Sequence, residues 1–218
     1  MKYMIDGADI SAIKKIIKTF PIVGVTTNPT IVSKTGLDLK TIITNIRKVI
    51  GSEKMLHVQA LESTADGIVE QAHRIVDFSG ENTYVKIPVT ADGFEAMMRL
   101  SEEGINITAT AIFTPQQALM AATAGAKFVA PYVNRLDNIS ASGTDVAGEI
   151  QQLLKIHNMD CEVLAASFNN VEQIHKTIMS GVTCVTINTQ LFYKLIYHPL
   201  TDLSVAEFID NGTPYYNL

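Results

Sequence analysis

Only two cysteines occur in the 218 residues, and neither belongs to a CxxC pair. Cys161 and Cys184 fall in expected β segments with no spacing that reads as a disulfide framework, which fits a reduced, cytoplasmic setting. Basic clusters are scarce too. Lysines and arginines are scattered, pairs such as Lys14-Lys15 stand isolated, and the formal net charge is −5, which argues against nucleic acid as a main partner. A phosphorylated small molecule needs only one or two well-placed cations and stays open. No uncharged apolar run reaches membrane-spanning length, since Lys127 interrupts the richest one, and Met1-Lys2-Tyr3-Met4-Ile5-Asp6 lacks the apolar stretch of a signal peptide. No membrane partner is expected. The five histidines show neither HExxH nor another ligand spacing, so no metal site is expected.

Glycine-rich phosphate cradles are also missing. The first expected strand ends in Asp6-Gly7-Ala8-Asp9, with neither GxGxxG nor a P-loop, which weighs against an open doubly wound sheet. What is present is a regular alternation of short β-rich runs with longer amphipathic ones. Strands are expected at 2–6, 22–26, 55–59, 84–90, 106–111, 128–132, 161–167 and 182–188. Helices are expected at about 9–19, 38–50, from 64, 92–103, from Thr114-Pro115, 144–157, 170–180 and 189–198. Thr27-Asn28-Pro29-Thr30 breaks the second strand. Asp9 and Thr114 are the expected N-caps, with Pro115 suited to a first helical position. Ile68, Val69, Ala72, Ile75 and Val76 repeat at helical spacing. Eight strand–helix units without a linker read as an α/β protein, a single (β/α)8 TIM barrel over about 1–198. A short helix at about 202–208 and a tail complete a single domain, 1–218. The tail Pro214-Tyr215-Tyr216-Asn217-Leu218 reads either as cover for another subunit or as a frayed end.

The strand Tyr84-Val85-Lys86-Ile87-Pro88-Val89-Thr90 carries one lysine in an otherwise apolar run. Alternation puts Val85 and Ile87 on one face and Tyr84, Lys86 and Pro88 on the other. A buried ammonium is costly, and a lysine made neutral by burial is a nucleophile for carbonyls. A strand-end lysine can also pack its stem and keep its head in water. The other strands weigh against that simpler reading. Parity directs Asp6, Thr26 and Asn28, His57 and Gln59, Thr108 and Thr110, Tyr132, and Ala165 with Ser167 toward the same rim, where barrel chemistry sits. His57 reads as a supporting hydrogen-bonding group. Arg135 reads either as an ion pair with Asp137 or as a phosphate clamp. Ser167-Phe168-Asn169 reads as a cap for the next helix and a seat for an anion.

Four segments carry a resemblance: Val25-Thr26-Thr27-Asn28-Pro29-Thr30, Val85-Lys86-Ile87-Pro88-Val89-Thr90, Ala130-Pro131-Tyr132-Val133-Asn134-Arg135 and Leu164-Ala165-Ala166-Ser167-Phe168. Together they resemble the small transaldolase family that includes fructose-6-phosphate aldolase, over residues 1 to about 198. The resemblance implies a Schiff-base barrel enzyme for small sugar phosphates, aldehydes and ketones, with no metal or organic cofactor. Lys86 would form the imine and Asp6 would handle protons beside it. Gln59, Thr110 and Tyr132 would manage the catalytic water and protons. Asn28 would hold the hydroxyls of a dihydroxyacetone unit, with Thr26 a further substrate-binding candidate, and Arg135 and Ser167 would hold phosphate. A ring-shaped homo-oligomer, pentamer or decamer, is also implied.

Members that transfer the three-carbon unit typically carry Glu and Phe at the positions of Gln59 and Tyr132, so this pair resembles the aldolase branch. Chemistry agrees in part, because glutamine cannot accept a proton as a carboxylate does, which leaves the phenol to protonate an enamine. The expected activity is cleavage of fructose 6-phosphate. The alternatives are transfer between sugar phosphates such as sedoheptulose 7-phosphate and glyceraldehyde 3-phosphate in the pentose phosphate pathway, and sugar-phosphate binding without turnover.

Overall fold

The computed structural model describes residues 1–216. In order the elements are β1 (Lys2–Asp6), α1 (Ile10–Thr19), β2 (Ile22–Thr26), α2 (Pro29–Ser33), α3 (Leu39–Ile50), β3 (Met55–Gln59) and α4 (Ala65–Ser79). Next come β4 (Thr83–Pro88), α5 (Ala91–Glu102), β5 (Ile107–Ile112), α6 (Pro115–Thr123), β6 (Phe128–Pro131), α7 (Val133–Asp137) and α8 (Gly143–Ile156). The last are β7 (Glu162–Ala165), α9 (Val171–Met179), β8 (Cys184–Asn188), α10 (Thr189–Ile196) and α11 (Pro199–Gly212). The eight strands form one closed parallel barrel in sequence order, sealed where β1 pairs with β8. This is the expected (β/α)8 architecture, and the expected bounds of β1, β2 and β3 hold to the residue.

Local chemistry sets the helix starts. Asp9 accepts from the Ser11 and Ala12 amides, Asp38 from Thr41 and Thr64 from Gly67. Thr114 and Gln117 form a reciprocal capping box behind Pro115. Each such cap is worth about 1 kcal/mol. Thr90 caps α5, so β4 stops at Pro88, short of the expected end.

Alternation along the strands divides the core. Ile5, Val25, Val85, Ile87, Val163 and Ile187 face outward onto helix residues such as Ile13, Ile46, Met97 and Ile150. Each fully buried aliphatic side chain of this kind contributes about 1.5–3 kcal/mol. Inside, Met4, Phe128, Leu164 and Cys184 fill the lower barrel, with Tyr84 against them. The Tyr84 ring stacks on His57 at 4.6 Å and meets Phe128 edge-on at 5.3 Å. A Lys2–Glu162 ion pair lies at the N-terminal ends of β1 and β7. The lower barrel is therefore packed, and only the C-terminal end is open to chemistry.

The ends of β4 to β8 and of several helices shift from expectation by one or two residues, β7 covering Glu162–Ala165 rather than 161–167, and three features depart further. The turns after β2 and β6 form α2 and α7, five residues each, too short to show a helical period. The C-terminal helix runs over Pro199–Gly212 rather than 202–208, because Pro199 occupies its first turn and the His198 ring accepts from the Leu200 amide. No residue of α11 is buried, and Leu203, Phe208 and Ile209 stand exposed along it. Tyr215 and Tyr216 in the tail are exposed too, while Asn217 and Leu218 lie outside the described residues. Among the described residues no helix is long and apolar enough to cross a membrane.

Candidate active site

At the C-terminal end of the barrel lies a cavity of about 280 Å³, lined among others by Asp6, Thr26, Asn28, Lys86, Tyr132, Arg135 and Ser167. Lys86 enters from β4, whose register pairs it with Gln59 on one side and Thr108 on the other. Its ammonium donates to the Thr27 carbonyl at 2.7 Å, and the side chain is buried. Burial lowers the Lys86 pKa, and the Asp6 carboxylate opposes that shift. A strand-end lysine with its head in water is thus excluded.

Asp6 ends β1, where its register partners are Thr26 and Asn188. Thr26 donates to Asp6 Oδ1 at 2.8 Å, and a second 2.8 Å contact joins the Thr26 and Thr186 hydroxyls. Where Asp6 is ionised and holds the Thr26 proton, Thr186 donates in that pair. Burial raises the Asp6 pKa, against the pull of Lys86 and of the Thr26 hydroxyl. One enclosed space therefore pushes an amine and a carboxyl toward their neutral forms. Such a pair can attack a carbonyl and pass a proton beside it.

Tyr132 follows β6, and its hydroxyl lies 2.8 Å from Thr110 Oγ1. Phe113 meets its ring edge-on at 5.7 Å, and the Arg135 guanidinium lies 4.6 Å from its centroid. After Thr110 the backbone of Ala111 adopts φ 58°, and the β5–β6 register slips between Ala109 and Ile112. Gln59 and Thr110 do not line the cavity itself. Thr110 reaches it through Tyr132, and Gln59 neighbours Lys86 across β3 and β4. Asn28 lines the cavity while its Oδ1 caps α2 through the Ile31 amide.

Several readings from the sequence are corrected. On β7 the inward residues are Leu164 and Ala166, while Ala165 packs toward the helices. Ser167 still reaches the cavity because its φ of 64° turns the chain after the strand. Ser167-Phe168-Asn169 does not cap α9; Asn170 does, accepting from the Gln173 amide. Arg135 forms no ion pair with Asp137, whose oxygens accept from the Gly143 amide and from Gln173. His57 sits beneath the rim, fully buried between Tyr84 and Phe128 and 2.8 Å from Thr108 Oγ1. Burial and the Lys86 charge push its pKa well below the usual value, which favours the neutral imidazole. Both cysteine thiols are pushed up to about 12, chiefly by burial, which leaves them inert at neutral pH.

Thr186 and Asn188 also line the cavity and were missed. The signal was available, since Cys184, Thr186 and Asn188 alternate on β8 as Met4 and Asp6 do on β1. Among the described residues, no three His, Cys, Asp or Glu gather in a group that could hold a metal ion.

Barrel and rim cavity together define a (β/α)8 barrel protein whose polar groups converge on one buried lysine. A profile described as transaldolase/fructose-6-phosphate aldolase matches residues 3–213, and the chain belongs to that family. A Streptococcus pneumoniae protein named "Probable fructose-6-phosphate aldolase" is 35% identical over 212 residues, covering 97% of this chain and 96% of its own. A Clostridium perfringens protein named "Probable transaldolase" is also 35% identical, over 217 residues and the full length of both. Equal identity to relatives with different names does not separate the two activities. Among solved structures, "Native KDPGal structure" aligns with a TM-score of 0.58 at 15% identity, covering 90% of this chain and 84% of that one, and supports the fold alone.

Proposed function

We propose that the chain is a Schiff-base aldolase that cleaves fructose 6-phosphate into dihydroxyacetone and glyceraldehyde 3-phosphate. The observation that carries this reading is the buried Lys86, its amine on the Thr27 carbonyl in the cavity that Asp6 and Tyr132 also line. The Lys86 amine attacks C2 of the open-chain ketose, and loss of water gives an iminium. The C3–C4 bond then breaks, its electron pair forming the enamine as the C4 hydroxyl proton passes to Asp6 or a water. Glyceraldehyde 3-phosphate leaves. The Tyr132 hydroxyl, held by Thr110, returns a proton to C3 of the enamine, and water positioned by Gln59 and Thr110 hydrolyses the imine to free dihydroxyacetone and Lys86.

In this reading Asn28 and Thr26 hold the hydroxyls of the three-carbon unit. Arg135, free of Asp137 and braced on the Tyr132 ring, takes the phosphate with Ser167. The chemistry uses no metal or organic cofactor. The second reading is transfer of the three-carbon unit to another aldose phosphate, favoured by the transaldolase names of equally similar relatives. Incubation with fructose 6-phosphate, without and then with erythrose 4-phosphate, decides between them. Sustained release of glyceraldehyde 3-phosphate without acceptor is the expected result. Release only with erythrose 4-phosphate would make the chain a transaldolase and remove the role given to Gln59 with Tyr132.

The proposed enzyme acts as one unit over 1–218 in the cytoplasm, and as a ring-shaped homo-oligomer. The exposed apolar residues of α11 support an assembly in which that helix meets another subunit. Sedimentation of the full chain is expected to give a pentamer or decamer, and a chain ending at His198 a smaller species. A full-length monomer would overturn the oligomer.

A further inference from the structure

We propose that Gln173 is a positioning residue that fixes the anion-binding end of the cavity without entering it. It lies in the first turn of α9, is buried, and uses every hydrogen-bonding atom of its amide. Its Oε1 accepts from the Asn169 amide at 2.8 Å, while Nε2 donates to Asn134 Oδ1 at 3.1 Å and to Asp137 Oδ2 at 2.6 Å. One carboxamide thus joins the β7–α9 loop, which bears Ser167, to α7, which bears Arg135. The backbone repeats the link two residues away, where the Asn134 amide donates to the Ser167 carbonyl at 2.8 Å.

Both anchored segments need outside support. Helix α7 has five residues and no side-chain cap, and a helix of that length is not stable alone. Ser167 holds a left-handed backbone without being glycine, a conformation that persists only where neighbours impose it. From its other side α7 is held by Gly143, whose amide donates to Asp137 and whose missing Cβ would lie 2.2 Å from the Val133 carbonyl oxygen. With that side fixed, Gln173 acts with the backbone bonds from Asn134 to Ser167 and from Val133 to Ala166 to set how Arg135 stands relative to Ser167. Among the described residues no other side chain hydrogen-bonds both segments, and the hydrogen bonds of Lys86 and Asp6 go elsewhere, to Thr27 and Thr26. Tyr132, at the start of α7, is held from β5 by its amide on the Ile112 carbonyl and its hydroxyl on Thr110, so loss of Gln173 is felt at the anion end and not at the amine or the phenol.

This inference rests on the reading of Arg135 and Ser167 as the phosphate site, and the test separates the two. Gln173→Leu is expected to raise KM for fructose 6-phosphate about tenfold with kcat within about twofold. Borohydride capture of dihydroxyacetone on Lys86, which involves no phosphate, should run at the wild-type rate. Arg135→Ala should raise KM further, and the double variant should be no worse than Arg135→Ala alone. An unchanged KM in Gln173→Leu beside a raised one in Arg135→Ala sinks the positioning role alone. An unchanged KM in Arg135→Ala sinks the phosphate reading beneath it. Equal losses in KM and in dihydroxyacetone capture would make Gln173 a general packing residue. Should Gln173→Leu not fold, Asn134→Ala removes one arm of the network and is expected to raise KM about threefold, with the same capture control.

Discussion

Lys86→Met lowers turnover of fructose 6-phosphate by roughly 10⁴-fold or more while leaving a folded barrel. Methionine keeps most of the volume and the unbranched shape of the lysine stem, so the inner packing is conserved. What disappears is the amine and its donation to the Thr27 carbonyl. Borohydride added with dihydroxyacetone should leave a reduced three-carbon adduct on Lys86 of the native chain, read by peptide mass, and none on the variant. The same experiment excludes a protein that merely binds sugar phosphates, which would gain no stable mass. Capture should also have a definite pH dependence. Burial moves the Lys86 pKa down from 10.5, so the neutral amine persists to lower pH than in an exposed lysine. Capture is lost as pH falls through that lowered pKa and is complete above it. Near-normal turnover in the variant, or an adduct on another residue, would remove Lys86 from the mechanism.

Tyr132→Phe gives the second large effect, a fall in free dihydroxyacetone release of about 10²–10⁴-fold with the first bond cleavage near its native rate. The ring remains, so the Phe113 contact and the platform under Arg135 are kept. Only the hydroxyl beside Thr110 is lost. The enzyme should then stall as the enamine, releasing a single burst of glyceraldehyde 3-phosphate and holding the three-carbon unit on Lys86. An acceptor aldehyde would clear it, because carbon–carbon bond formation consumes the enamine without a proton from Tyr132. Slowed cleavage with unaffected release would assign the hydroxyl to the earlier step.

Period two was the legible signal. Asp6, Thr26 and Lys86 could be aimed into the barrel by counting along short strands whose ends were marked by caps and prolines. The same count failed on β7 for Ala165, which packs toward the helices, while Ser167 reaches the cavity as expected but through a left-handed turn that no composition signals. It passed over β8, although Thr186 and Asn188 obey it. Helices α2 and α7 were hidden by their length, and the burial of His57 by a barrel filled deeper than parity alone can tell. Nothing in sequence marks Gln173 among the polar residues of its helix, since Asp137 and Asn134 lie 36 and 39 positions back and meet it only in the fold. Charge could place Arg135 beside Asp137 in sequence, but Gly143 and Gln173 claim that carboxylate in space.

Closure of the barrel between β1 and β8 also sets an order of events at the ribosome. Lys2 pairs with Cys184 and Asp6 with Asn188, so β1 waits for β8 before that edge is satisfied. Until then every nascent intermediate carries an open, apolar strand edge able to pair with another chain. The loop that must close holds the six strands β2 to β7, a long-range contact that slows the final step. Translation speed and chaperone access over the last quarter of the chain should therefore govern yield more than any single contact in the finished barrel.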